Sequence, residues 1–345
     1  MPKKVFFTDV RKAEYLDAPE LGELKENHVH IKTLFTGISA GTELVAFRGD
    51  SPFMRRNYDP STRLFYKTDS GGSRGYPMTS GYENVGRVLE VGSTVESLKA
   101  GDIVFTHINH CSEYAIAESQ PDKLPDGLDP RCGVIAALVG VAYNSILDAR
   151  IVPGETVVVF GAGIVGQILI QLARFSSPAA VVSVDLQESR LEAARTSGAD
   201  VTLNPQTTDD VALAIREMTD NRGADVVFEA STSTVALHEA IRTAGYNCRV
   251  IVVSYYAGEA KGLYLGEEFH HNRIRLISSQ NAGVNPHLHP AWDYGRKQEA
   301  AIASLSLLKL DHLISHTIPA EEAQRAFDLV DQDQGNCLQV VLSYE

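Results

Sequence analysis

Positive charge is scarce in this chain. Its 345 residues hold 31 Lys and Arg against 44 Asp and Glu, a formal net charge of −13. The acidic residues are scattered, so the surface repels phosphate backbones and anionic lipid headgroups. Nucleic acid and membrane surfaces are therefore not expected as partners. Cysteine is scarce too: Cys111, Cys132, Cys248 and Cys337 lie far apart and form no C-x-x-C pair. That spacing argues against a disulfide framework and fits a reducing compartment. Long hydrophobic runs are missing, and none approaches the ~18 apolar residues of a membrane span. The segment MPKKVFFTDVRKAEY turns polar too early for a secretory signal, so a cytoplasmic location is expected.

What is present is ordinary globular material, 44% hydrophobic and 22% charged. At roughly 100–200 residues per domain, the length suggests two domains. Up to about residue 125 the chain reads as short β-segments between glycine turns: His28 to Leu34, Tyr82 to Val91 and Asp102 to Thr106. Ser51 to Thr79 shows no period and reads as a long loop of the kind that often carries function. After Pro125–Asp126–Gly127 the texture changes. Strands at Thr156 to Phe160, Ala180 to Asp185, Asp200 to Leu203, Asp225 to Ala230, Arg249 to Ser254 and Arg275 to Ser279 alternate with helical stretches. That alternation means βαβ units and a doubly wound parallel sheet. A Pro/His/Asn-rich stretch at 281–290, two further helices and an end strand, Leu338 to Leu342, complete the chain.

The first of those strands runs into Gly161–Ala162–Gly163–Ile164–Val165–Gly166 and then an apolar helix. This is G-x-G-x-x-G in the strand–turn–helix context that gives it meaning. The first glycine makes the turn, the second admits a pyrophosphate, and the third lets the helix pack close to the strand. The helix N-terminus then faces the anion. Asp185 closes the next strand, where an acid that binds the ribose belongs, and favours NAD over NADP. Arg190 is a candidate contact for the adenosine ribose. Ser231 and Ser254, at the ends of later strands, are candidates for the nicotinamide half.

Gly37–Ile38–Ser39, Gly81–Tyr82–Glu83–Asn84–Val85–Gly86, Gly101–Asp102–Ile103–Val104, Leu124–Pro125–Asp126–Gly127 and Pro153–Gly154–Glu155–Thr156–Val157 stand before the fingerprint. Together they resemble the medium-chain dehydrogenase/reductase superfamily, with its zinc-type alcohol dehydrogenases, over nearly the whole chain. The resemblance implies a Rossmann domain (138–282) inserted into a GroES-like β-barrel domain (1–137 and 283–345). It also implies a homodimer or homotetramer. Where zinc alcohol dehydrogenases carry Gly-Ile-Cys and Gly-His-Glu, this chain has Ser39 and Tyr82, and the third ligand falls at about Ala136. Glu83 alone survives, and one carboxylate cannot hold a tetrahedral zinc. The lobe that binds structural zinc is missing as well. The resemblance is therefore to a zinc-free branch, and GISAGTE followed by GYE is similar to bacteriochlorophyllide-type and sugar-biosynthetic dehydrogenases. An alternative metal cluster would use His107, His110 and Cys111 with Glu83.

The reaction expected is NAD-dependent interconversion of a secondary alcohol and a ketone, on a sugar, cyclitol or ring-bearing alcohol. Tyr58, Tyr66, Tyr82, His107, His110 and Trp292 suit the lining of such a site. Without zinc another group must take the alcohol's proton. The candidates are Tyr82, His107 and Glu83, in that order, with Thr42 as a relay hydroxyl. The rival readings are an enone or quinone reductase of the same superfamily and a non-catalytic NAD-binding protein.

Overall fold

The computed structural model describes residues 1–67, 72–333 and 335–344. The chain divides into two compact units, Met1–Ala137 with Ile314–Glu345, and Leu138–Leu313.

The unit Leu138–Leu313 is built on a six-stranded parallel sheet. Its spatial order is Val201–Leu203, Ala180–Val184, Thr156–Phe160, Ala224–Glu229, Ala244–Val252, Arg275–Ser278. In chain order that is 3-2-1-4-5-6, with the reversal between Thr156–Phe160 and Ala224–Glu229. Every residue of TVVVF is buried, as a central strand covered on both faces requires. Val158, Val182, Val227 and Val250 meet Ile215, Leu237 and Ile241 from the crossover helices in one core. The helices start where side chains satisfy their free N–H groups. Asp210 accepts from Leu213 N and Ser233 from Ala236 N, while Gly198, at φ 107°, ends the helix Glu188–Ser197.

Residues 283–313 pack with this unit, rather than with the chain ends as the resemblance implied. The ties are specific. Lys297 is fully buried on the helix Tyr294–Ser304 and donates to the Asn281 backbone carbonyl, to Asn281 Oδ1 at 3.0 Å and to the Gly283 carbonyl at 3.1 Å. Gln171 holds Lys309 at both backbone groups, at 3.0 and 2.7 Å.

The other unit is a GroES-like domain of mixed sheets made from both chain ends. The long strand His28–Ile38 pairs antiparallel with Asn84–Val91 and with Glu113–Ala117. Its last residues pair with Gln339–Ser343, Ile38 opposite Val340. A parallel partner, Ile314–Pro319, lies outside that strand. Phe7, Phe47 and Phe327 centre the core, with ring centroids 4.9–5.4 Å apart. Within the stretch read as a loop, Arg56–Asp59 and Leu64–Lys67 form a hairpin, while 68–71 lie outside the described residues.

Candidate functional site

The glycine turn has the geometry its spacing predicted. Gly161 has φ +90°, and a Cβ there would stand 2.7 Å from Ser231 N. A Cβ at Gly166 would lie 1.9 Å from the Gly161 carbonyl oxygen, so only glycine lets the helix Ile164–Arg174 sit this close to the strand. At Gly163, which precedes that helix, the nearest atom to a Cβ is Arg190 Nη1 at 3.9 Å. That open space, bounded by backbone amides at the helix start, fits a pyrophosphate. Ile164 and Val165 supply the first two helical residues. Asp185 follows the strand Ala180–Val184; one oxygen accepts from Ala162 N at 2.7 Å and the other from Gln187 N at 2.8 Å. Arg190 Nη1 stands 4.0 Å from it. The fingerprint residues, Asp185 and Arg190 thus come together at one end of the sheet.

Ser231 and Ser254 also converge there, around a residue the sequence reading passed over. Glu229 ends its strand with no exposed surface. Ser231 donates to Glu229 Oε1 through its amide at 2.8 Å and through its hydroxyl, and the Tyr256 hydroxyl donates to Oε2. Ser254 Oγ accepts from Thr232 N at 2.8 Å. Burial and the adjoining Glu229 push the Tyr256 phenol far above its ordinary range. A charged residue closing the apolar run VVF was the available signal for Glu229; Tyr256 had none.

In the GroES-like unit the remaining candidates form a polar cluster. The Tyr82 hydroxyl donates to Ser39 Oγ at 2.5 Å and is also hydrogen-bonded to the Thr42 side chain. Burial, reinforced by Glu83, raises the phenol well above its usual value near 10, so it remains a donor at neutral pH. Glu83 is fully buried, and among the described residues its carboxyl accepts one hydrogen bond, from Gln339 Nε2 at 3.3 Å. Burial drives its carboxyl well above the ordinary range. His107 packs its ring edge-on against Phe105 and is hydrogen-bonded to the Tyr82 backbone. Partial burial lowers its imidazolium below the ordinary 6.5. His110 is fully buried, with Nε2 at 2.9 Å from Glu43 Oε2 and Nδ1 at 2.7 Å from Thr36 Oγ1. Glu43, which also accepts from Ser39 N and Ser80 Oγ, was not singled out in the sequence.

Zinc does not fit the donors at the corresponding positions. Ser39 and Tyr82 are hydrogen-bonded to each other, Ala136 is a buried methyl group, and Glu83 is a carboxyl pushed toward its neutral form. His110 and Cys111 do not converge either, since His110 faces Glu43 while the Cys111 thiol lies 4.0 Å from Asn84 Nδ2. Among the described residues, the group of three ligand-type side chains within 4.8 Å is elsewhere, His238 with Glu267 and Glu268. Of the proposed lining residues, Tyr58 and Tyr66 lie on the hairpin of the first unit. Trp292 belongs to the second unit, under the Arg296 guanidinium at 4.4 Å.

A glycine turn opening a helix, an acid closing the next strand and a 3-2-1-4-5-6 parallel sheet define a dinucleotide-binding dehydrogenase unit. Comparison with known proteins makes the assignment more specific. Residues 26–160 match the alcohol dehydrogenase GroES-like domain, and residues 165–290 the zinc-binding dehydrogenase family. The chain is 31% identical over 308 residues to D-guloside 3-dehydrogenase of Escherichia coli K12, covering 86% of each protein. It is 27% identical over 296 residues to D-xylulose reductase A of Aspergillus niger, covering 75% and 79%. The crystal structure of 2R,3R-butanediol dehydrogenase from Bacillus subtilis shares the fold, with TM-score 0.80, 19% identity and 99% coverage of both chains. The chain belongs to the medium-chain dehydrogenase/reductase superfamily, among the zinc-type alcohol dehydrogenase-like proteins. It is an oxidoreductase acting on CH–OH.

Proposed function

We propose that this protein oxidises a secondary alcohol of a sugar or polyol with NAD, without catalytic zinc. The observation that carries the reading is the replacement of two of the three lost ligand positions by a hydrogen-bonded hydroxyl pair, Tyr82 and Ser39, within an otherwise complete dehydrogenase fold. The substrate class rests on relatives named for D-guloside and D-xylulose. Bound NAD supplies the hydride acceptor.

The chain's own residues handle orientation and the proton. Tyr82 and Glu83 are both pushed toward their protonated forms, whereas His107 is pushed toward its neutral form. Groups driven apart in this way take opposite roles. His107 accepts the alcohol's proton, and the Tyr82 hydroxyl turns its one hydrogen from Ser39 Oγ to the reacting oxygen when substrate binds. Glu83, pushed toward its neutral form by burial, acts as a positioning residue. Elemental analysis tests the zinc-free reading: one tightly held zinc per chain, with activity lost to chelators, would refute it.

The choice of NAD rests on Asp185, whose carboxylate repels a 2′-phosphate. The expected result for Asp185→Ser is weaker NAD binding and at least about a tenfold drop in discrimination against NADP, about 1.4 kcal/mol. Calorimetry checks it, and wild-type protein that binds NADPH more tightly than NADH contradicts it.

The partner expected is a second copy of the chain. The outermost strand, Arg275–Ser278, is largely exposed, with Leu276 at 39%, and has an open hydrogen-bonding edge for an equivalent strand. Light scattering should return a multiple of 37.6 kDa; the monomer mass would remove this part of the reading.

A further inference from the structure

Glu229 is a carboxylate without a counter-charge. It has no exposed surface, and both of its oxygens accept hydrogen bonds from neutral donors, Ser231 and Tyr256. Among the described residues no Lys, Arg or His stands within ion-pair distance of it; the ion-paired Arg174, Arg190, Arg195, Arg242, Arg249 and Lys261 of this unit serve other acids. Glu83, equally buried, accepts one hydrogen bond at 3.3 Å, whereas Glu229 accepts three, a donor set that suits a carboxylate. None of the three supplies an opposite charge, which leaves that role to a ligand.

The place of Glu229 in the sheet says what that ligand is. The pyrophosphate position is fixed by Gly163 at the helix start and the adenosine side by Asp185, on the strand to one side of Thr156–Phe160. A dinucleotide lying across the carboxyl ends of the strands therefore directs its other half over the opposite neighbour, Ala224–Glu229. Glu229 is the last residue of that neighbour. The segment after it abuts the glycine turn, with Ala230 N donating to the Phe160 carbonyl at 2.8 Å. The nicotinamide ring carries a positive charge when oxidised and none when reduced.

Resting on the proposed NAD-dependent reaction, we infer that Glu229 is a specificity-determining residue for the redox state of the cofactor, favouring NAD⁺ over NADH through its buried negative charge. The two forms differ little in shape, so a charge is the feature that separates them. In a site of low effective dielectric one buried charge acts strongly on another. The same preference draws the equilibrium between bound states toward NAD⁺ and alcohol, and so favours ketone reduction once both reactants are bound. Tyr256 and Ser231 hold the carboxylate in place and contribute no charge.

The test is equilibrium binding to the full-length protein, by calorimetry for NAD⁺ and by ligand fluorescence for NADH. For Glu229→Gln, the ratio Kd(NAD⁺)/Kd(NADH) should rise about tenfold, with NADH affinity within about threefold of wild type. For Tyr256→Phe, which removes a hydrogen bond and leaves the charge, both affinities should fall by a similar factor and the ratio should hold. A ratio unchanged in Glu229→Gln overturns the inference and leaves the dinucleotide site standing. Wild-type protein binding neither form overturns both. Should Glu229→Gln fail to fold, the wild-type protein decides: NAD⁺ bound at least as tightly as NADH supports the inference, and NADH bound more tightly overturns it.

Discussion

Gly163→Ala should fold as the wild type does and lose most of its affinity for NAD. The backbone at Gly163, φ −69° and ψ −175°, suits any residue, and the added methyl group meets nothing closer than the Arg190 guanidinium at 3.9 Å. Stability should therefore fall by no more than about 1 kcal/mol, the usual difference between Gly and Ala at a helix start. The methyl group does occupy the space left for the pyrophosphate. Forcing one methylene into a packed contact costs about 1–3 kcal/mol; about 2 kcal/mol is roughly thirtyfold in Kd. Gly166→Ala separates the two roles of the motif. Its Cβ would lie 1.9 Å from a backbone oxygen, so this variant should lose about 1–3 kcal/mol of stability as well as NAD affinity. Thermal unfolding and calorimetry on the pair read out both effects. A Gly163→Ala protein that binds NAD like the wild type would remove the cradle from the account.

The second large effect is expected at His107. Removing a general base lowers kcat by roughly 10²–10⁴-fold, so His107→Gln should fall in that range with KM for NAD unchanged. The pH profile assigns the proton. Burial lowers the His107 pKa below 6.5, and the base works in its neutral form. Alcohol oxidation should therefore rise with pH through an inflection below about 6.5 and then level off. With Tyr82 as the base, the inflection would lie above 10, because burial and Glu83 raise that phenol further. Tyr82→Phe should keep the low inflection and reduce kcat/KM about tenfold, the worth of one good hydrogen bond to the reacting oxygen. Glu83→Gln should leave the inflection in place. A plateau reached only above pH 10, or His107→Gln within threefold of wild type, would return the role to Tyr82.

How much of this was legible depended on how local each signal is. The alternating strands and helices of 156–278 were readable because a fully buried parallel sheet writes itself as apolar runs between amphipathic helices, and the glycine turn needs glycine for steric reasons alone. The hairpin Lys3–Asp9 and Lys12–Asp17 and the strand Ile314–Pro319 carry no comparable run; they are strands because of what they pair with. The grouping of 283–313 with the dinucleotide unit hangs on Lys297, and a lysine on a helix gives no sign in sequence that its stem and charge will be buried. The polar cluster shows the same division. Tyr82 and Ser39 stand out by replacing expected residue types. The Glu43–His110 contact spans 67 residues and exists only after folding. Glu229 and Tyr256 meet across 27 residues for the same reason.

The most direct test of the central claim follows absorbance at 340 nm while chelator-dialysed protein, with NAD, is offered sugars, glycosides, cyclitols and acyclic polyols. The account predicts NADH formation on at least one secondary alcohol of this set, at a rate that chelation leaves unchanged and added zinc does not raise. No NADH from any member of the set, or a rate abolished by the chelator and restored by zinc, would contradict it.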